Sequence, residues 1–475
     1  SSPAAGFLPL DTFISPWAYG TLSGRCARRR LHGDAIRRQS DTTVETQKRS
    51  ETMSEGKQNQ LSRREFGKRT VIGATAMAGF GILKHAHAAE TPMKIGLIGA
   101  GGRGTGAVED AIKANSNIQL VAVGDFWEER AKNAVRGFKQ NENLKENIQV
   151  PEDAIYGGLD AYKKVLEHEV DYIILATPPG FRPLHFEAVV EAKKHCFCEK
   201  PVATDPVGTR RFMAAAKKSE ELKLSVVAGT QRRHQKPYIE TIQKIHDGVL
   251  GELLAGRAYW DGGLPHARDR KDGMSDLEYQ LYNWYNFCWI CGDNIVEQHV
   301  HNLDVMNWVF NAHPVAVVAS GGRAWKPKIE KYGNIWDHFA CDFEYPNGVH
   351  VSSFCRHWNV SWGRNTVFEW VIGTNRGGEH KGISNCADMG SGGQNEYVQE
   401  HADLQASIRG DGPYLNEAMQ VAESCFTAIM GRMSAYTGKR MVWDEALNMD
   451  LDIFPKNLSW DAKIPVDPIP VPGEA

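Results

Sequence analysis

The sequence predicts an α/β protein, with a doubly wound parallel sheet beginning near residue 90 and then a second α+β unit built on an open, mostly antiparallel sheet. Three observations carry this. An apolar strand runs directly into a glycine-rich loop and a helix near residue 100. Apolar strands and helical stretches alternate from there to about residue 228. Beyond it, strand-like runs follow one another with little helix between them.

The first strand covers residues 94–98 (K-I-G-L-I) and leads into Gly99-Ala100-Gly101-Gly102-Arg103-Gly104, a G-x-G-x-x-G loop opening a helix at 105–114. Here Gly99 permits the tight turn, Gly101 lets a pyrophosphate approach the backbone, and Gly104 allows close helix–strand packing. Gly102 and Arg103 lie between them, where a helix N-terminus offers N–H donors to phosphates. The second strand, 119–124, ends at Asp125, 21 positions past Gly104. An acid there accepts hydrogen bonds from the adenosine ribose and repels a 2′-phosphate, which favours NAD over NADP. The other reading of Asp125 is a cap for the helix starting near Glu128. Strands at 171–177, 195–198 and 222–228 complete a Rossmann unit over residues 90–228.

The second unit, residues 229–454, opens on Gln231-Arg232-Arg233-His234 and a helix at 238–247. Strands are expected at 253–260, 315–320, 338–345, 349–354 and 368–372, and a helix at 416–431 that packs back towards the first unit. Residues 261–285 read as a loop and short helix over the site. Residues 455–475 form a Pro-rich extended tail.

Composition sets the class. Of 475 residues, 42% are hydrophobic and 24% charged, with net charge −3, which suits a soluble protein with a substantial core. No basic stripe suggests nucleic acid or an anionic membrane as partner. Nine cysteines follow no disulfide-scaffold spacing. Cys288 and Cys291, in C-W-I-C, read as small apolar residues of a packed segment. A redox dithiol or half a zinc site is the other reading, but no second C-x-x-C or His pair completes a zinc site.

The N-terminal segments read differently. Residues 1–52 are Arg-, Ser- and Thr-rich and are expected to lie upstream of the natural start and to be disordered, with a functional basic tail as the other reading. Residues 53–89 read as an export signal. Ser62-Arg63-Arg64-Glu65-Phe66-Gly67-Lys68 resembles the twin-arginine motif, an apolar run covers 71–83, and Ala86-His87-Ala88 is an A-x-A cleavage site. The expectation is an exported, periplasmic bacterial protein that folds and binds its cofactor before export. No stretch after residue 90 is long and apolar enough to span a membrane, which takes about 20 residues.

Glu199-Lys200-Pro201 follows the strand at 195–198. With the glycine loop, Ala176-Thr177-Pro178-Pro179 and Gly229-Thr230-Gln231-Arg232-Arg233-His234, in this order, the chain resembles the glucose–fructose oxidoreductase/inositol dehydrogenase (Gfo/Idh/MocA) family. The resemblance implies that Thr177, Pro178, Pro179, Glu199 and Lys200 face the cofactor. It also implies that Lys200 works with a downstream acid and a histidine four positions on, which here are Glu297, where relatives often carry Asp, and His301. On one helix the two would share a face. Lys200 would polarise a substrate oxygen, His301 would take the hydroxyl proton, and Glu297 would orient the cation or imidazole. His299 completes an H-x-H pair, but no third ligand supports a metal, so it faces substrate or the helix core.

Aromatic residues are dense between Trp260 and Trp289, as suits sugar rings. Arg232, Arg233, His234, Trp260, Asp261, Tyr285 and His299 are the candidate substrate contacts. The resemblance implies homo-oligomers formed through the outer face of the second sheet. The function expected is NAD(P)-dependent hydride transfer at a carbohydrate or polyol hydroxyl, with the cofactor tightly bound and recycled. The rivals are a redox-neutral, NAD-dependent glycoside hydrolase or lyase and a non-catalytic sugar-binding protein.

Overall fold

The computed structural model describes residues 91–359, 366–375, 383–384 and 395–474. The expectations for residues 1–52 and 53–89 lie outside them.

The Rossmann unit alternates β1 (Met93–Ile98), α1 (Gly102–Ala114), β2 (Ile118–Asp125), α2 (Glu128–Gln140), β3 (Ile155–Gly157), α3 (Ala161–Leu166), β4 (Tyr172–Leu175), α4 (Arg182–Glu191), β5 (His195–Cys198), α5 (Pro206–Glu221) and β6 (Val226–Ala228). Its six strands pair in the order β3-β2-β1-β4-β5-β6, all parallel. The order reverses between β1 and β4, which places the ligand crevice at their carboxyl ends. Helices cover both faces, so central strands read as continuous apolar runs. Ile173, Ile174 and Leu175 are fully buried, each contributing roughly 1.5–3 kcal/mol. Asp205 caps α5 by accepting the Gly208 N–H at 2.6 Å, with Pro206 at the first helical position.

The second unit begins with α6 (Lys236–His246) and β7 (Leu253–Gly262). The short helices α7 (Asp276–Tyr282), α8 (Cys288–Cys291) and α9 (Asn294–Glu297) and the longer α10 (Val300–Phe310) follow. Then come β8 (Ala316–Gly322), β9 (His338–Tyr345), β10 (Val349–His357), β11 (Thr366–Gly373) and β12 (Ile383–Ser384). The chain closes with α11 (Glu396–Arg409), α12 (Ala418–Thr437), β13 (Met441–Val442) and α13 (Trp443–Leu447). The strands pair in the order β12-β11-β7-β10-β9-β8-β13. Only β7 and β10 run parallel, so the sheet is mostly antiparallel, as expected.

Helix α12 joins the units. It packs on β8, β9 and α10 on one side and on α5 and β6 of the Rossmann unit on the other. Most of its residues from Ala418 to Ala435 are buried. Its buried polar residues are satisfied by partners: Ser424 donates to Asp304, Thr427 accepts from Asn307, Arg432 donates to the Gly292 carbonyl and Ser434 to that of Val317. Cys288 and Cys291 are buried in the packed helix α8 and form no disulfide. Among its described residues the tail carries no helix or strand. It is tied down where Gln280 donates to the Ile464 carbonyl at 2.7 Å and Trp336 to that of Pro470 at 3.2 Å. Among the described residues no helix is long and apolar enough to cross a membrane.

Candidate active site at the carboxyl ends of the Rossmann strands

A cleft enclosing about 1100 Å³ of open space, its mouth included, lies over the switch point. Its floor is the glycine loop. Gly99 adopts φ +100°, closed to most side chains, and a Cβ on Gly104 would overlap the Gly99 carbonyl oxygen. At Gly101 and Gly102 a Cβ would meet no protein atom within 4 Å. Helix α1 starts there without a side-chain cap. Open volume above uncapped N–H groups is what a pyrophosphate needs, so the residues present fit a dinucleotide. Gly101→Ala is therefore expected to melt like the wild type yet bind NAD at least about tenfold more weakly, the scale of one lost charged hydrogen bond. Gly104→Ala should lose about 1–3 kcal/mol of stability by overpacking. Thermal melts and calorimetric titration of the two variants check both; unchanged NAD affinity in Gly101→Ala would remove the phosphates from this loop.

Asp125 lines the cleft at the end of β2. Its carboxylate accepts the N–H of Ala100 at 2.8 Å and of Trp127 at 3.0 Å. Burial raises its pKa, against the pull of Arg130 and these donors. Thr177, Pro178 and Pro179 form one wall. Arg182 ties the ends of β4 and β5 by donating to the carbonyls of Leu175 (3.0 Å), Glu199 (2.6 Å) and Thr177. Glu199 lies over Gly229, where a Cβ would overlap its carboxylate. Arg103 turns its guanidinium into the protein, onto Glu199, Asp110 and the fully buried Glu400, and stacks on Tyr397 at 4.9 Å.

Lys200 and Glu297 meet across the two units. The Lys200 ammonium donates to the Glu297 backbone oxygen and lies 3.2 Å from Oε1, both side chains about nine-tenths buried. The Tyr285 hydroxyl donates to Oε2 and accepts from Gln298. The segment is anchored from behind. Arg432 of α12 donates to the Gly292 carbonyl at 2.9 Å, and Asp293 accepts from the Trp336 N–H at 2.7 Å and from the Tyr436 hydroxyl at 2.5 Å. His301 lines the same cleft, stacked at 5.8 Å on Trp260, with no partner for Nδ1 among the described residues. Burial, then the charges of Lys200, Arg232 and Arg103, push its imidazole well below the ordinary range. It is neutral at neutral pH and able to accept a proton.

Several expectations need correction. Glu297 and His301 do not share one helix: the chain breaks at Gln298 (φ −110°, ψ −50°), and α9 and α10 converge on the cleft separately. His299 does not face substrate. It is fully buried, with Nε2 2.7 Å from the Ser353 hydroxyl. Arg233 is held by Asp304 at 2.9 Å and lies over Trp308, away from the cleft. His234 is buried between Asp403 (2.6 Å) and Glu417 (3.3 Å). Burial lowers its pKa, but the two carboxylates outweigh this and raise it to about 10. Arg232 pairs with Glu369 behind His301. Asp261 lies 3.8 Å from Arg356, and Trp260 reaches the cleft only through His301. Of the substrate candidates, Tyr285 alone lines the cleft.

Cleft residues not anticipated are Phe126, Trp127, Arg130, Arg182, Leu281, Trp284 and Tyr397. Trp127 and Arg130 follow Asp125 closely enough for position to have marked them. Tyr397 arrives from the start of α11, where Asn395 caps its N–H at 2.9 Å, and no local motif signals it.

Fold and cleft together define a two-unit α/β protein with an NAD-binding Rossmann domain. Comparison with known proteins makes this specific. The profile of the Gfo/Idh/MocA oxidoreductase family, NAD-binding Rossmann fold, matches residues 93–227, and that of the GFO/IDH/MocA C-terminal domain matches residues 238–376, together more than half of the chain. The chain belongs to this family. Inositol 2-dehydrogenase of Acidothermus cellulolyticus is 24% identical over 237 residues, covering 50% of this chain and 59% of that protein. Inositol 2-dehydrogenase 4 of Saccharopolyspora erythraea is 31% identical over 212 residues, 44% and 57% respectively. The 2,7-anhydro-N-acetylneuraminate hydratase of Escherichia coli is 26% identical over 271 residues, 54% and 63%. The chain thus spans 57–63% of the length of these relatives. Among solved structures, scyllo-inositol dehydrogenase of Lactobacillus casei with bound NAD(H) and scyllo-inositol superposes with a TM-score of 0.56 at 16% identity, covering 74% of this chain and 99% of that one.

Proposed function

We propose that this protein is an NAD-dependent dehydrogenase that oxidises a secondary hydroxyl of a cyclic polyol or sugar, or reduces the corresponding ketone. The observation that carries this is the meeting of the Lys200–Glu297 pair and neutral His301 at one end of a dinucleotide-shaped cleft. When bound, NAD supplies the hydride acceptor. Gly101, Gly102 and the start of α1 would hold its phosphates, and Asp125 its adenosine ribose. Lys200 steadies the substrate oxygen as negative charge develops on it. His301 removes the hydroxyl proton. Glu297, fixed from the other side by Tyr285, keeps the ammonium in place. The inositol dehydrogenase relatives support the substrate class.

The test is to denature protein purified without added cofactor, identify any nucleotide released, and then follow NADH formation with inositols and sugars. Bound NAD and turnover are expected. No released nucleotide, and none bound on titration, would sink the reading and leave a sugar-binding protein. The hydratase relative favours a second reading, a redox-neutral reaction on the same residues. Product formation without net NADH would select it.

Export and assembly complete the proposal. The twin-arginine pattern at residues 62–68 supports a periplasmic protein; a mature N-terminus retaining Arg63 would count against it. The outer face of the second sheet carries Val318 (54% exposed) and Phe354 (42%), with Tyr259 stacked on Phe354 at 5.3 Å and tilted against Phe368 at 4.6 Å. An apolar patch on a sheet face supports a homo-oligomer; a sedimentation mass of one chain would refute it.

A further inference from the structure

Residues 448–474 carry no helix or strand and lie beyond the residues that either family profile matches. A terminal segment of this kind is poorly ordered unless something ties it down. Here several contacts do. Arg210 of α5 donates to the Met449 carbonyl at 2.8 Å, and the Asp205 carboxylate accepts the Ile453 N–H at 3.1 Å. Further on, Gln280 of α7 donates to the Ile464 carbonyl at 2.7 Å. Between these anchors Phe454, Leu458 and Trp460 enter one apolar cluster with Phe126, Phe181 and Leu281.

The segment bridges the two units behind the cleft. Asp205, Arg210 and Phe181 belong to the Rossmann unit, and Gln280 and Trp289 to the second. Phe454 joins them, its ring 5.3 Å from that of Phe181 and 5.7 Å from that of Trp289, edge-on to both. Trp289 is itself fixed, donating to the Gln280 side chain at 2.6 Å. The Trp460 ring lies 6.4 Å from that of Trp127. The cluster also reaches the cleft, because Phe126, Trp127 and Leu281 line it from the other side. Phe126 and Trp127 directly follow Asp125, which puts them at the adenosine end. Moving this wall away from Leu281 and α7 therefore strips Phe454 from Phe181 or from Trp289.

We propose that residues 449–464 are a strap that closes the adenosine end of the cleft, with Phe454 and Trp460 as positioning residues that hold its walls together around the bound dinucleotide. The proposal rests on the dinucleotide reading of the cleft and goes beyond it. A strap acts on rates. The walls must part before the nucleotide leaves, and each aromatic contact broken on the way raises the barrier to release. Weakening the strap therefore speeds dissociation more than it changes the contacts to the nucleotide itself.

The test is the rate at which excess NAD displaces prebound NADH, followed by NADH fluorescence, with no turnover involved. Phe454→Ala and Trp460→Ala are each expected to speed displacement about tenfold, the scale of one or two aromatic contacts. Trp460→Phe should keep most of the wild-type rate. Val466→Ala, at an exposed position of the same tail beyond the strap, should leave it unchanged. Trp460 is only half-buried, so its variant keeps the test open if Phe454→Ala fails to fold. Displacement at the wild-type rate in folded Trp460→Ala, or acceleration by Val466→Ala of the same size, overturns the strap. A wild type that binds no NADH overturns the dinucleotide reading instead, so the two failures are told apart.

Discussion

Lys200→Met is expected to lower kcat/KM by about a thousandfold or more, because the substrate oxygen loses the cation placed to stabilise it as charge develops. Methionine fills nearly the same space, so packing is retained and charge is the variable. The complication is Glu297. Its Oε1 faces the ammonium at 3.2 Å, and the pair is largely buried. Removing one partner strands the other, which typically costs about 3–5 kcal/mol. A collapse of activity in the single variant could then reflect unfolding. The double variant Lys200→Met/Glu297→Gln separates the causes. It leaves no stranded charge, and Tyr285 can still donate to the amide oxygen, so its melting temperature should return towards the wild type while turnover stays lost. Activity returning together with stability would show that Lys200 holds the units together and does not touch the reaction.

The cofactor half of the cleft was legible in the sequence because its residues are neighbours in the chain. A strand, a turn and a helix within a dozen residues fix the glycine loop, and Asp125 and Lys200 each sit at the end of a strand the loop already implies. The substrate half is assembled from distant segments, and there parity decides. His299 and His301 both lie at the start of α10, two positions and so about 200° apart around its axis, which sends the first into the sheet, onto Ser353, and the second into the cleft. Trp260 and Asp261 are adjacent on β7 and so point to opposite faces of the sheet. Arg233 and His234 looked like substrate ligands because charge draws attention. Their partners Asp304, Asp403 and Glu417 lie 71 or more residues away and cannot be paired with them by eye. A polar residue is a site candidate only until its partner is known, and for buried groups a partner is the rule.

His301→Gln is expected to lower kcat/KM by about 10²–10⁴, the usual yield of a positioned base. The pH profile carries more information than the rate. A histidine acting as base must be unprotonated, and burial together with Lys200, Arg232 and Arg103 lowers the pKa of this one well below the ordinary 6.5. The unprotonated form therefore persists as pH falls through 6.5, and the acid limb of wild-type kcat/KM should lie below that value. In His301→Gln the limb assigned to the imidazole should disappear, leaving a flatter, lower profile. A role confined to packing against Trp260 would reduce activity at every pH and leave the limb where it was. A wild-type limb at or above 6.5 would mean that the proton goes elsewhere. Tyr285 would then be the next candidate, because its hydroxyl is bound to Glu297 and lines the same cleft. Burial and the adjacent carboxylate hold that hydroxyl well above its usual range, so it would enter as a proton donor in ketone reduction, and the controlling limb would move to the alkaline side.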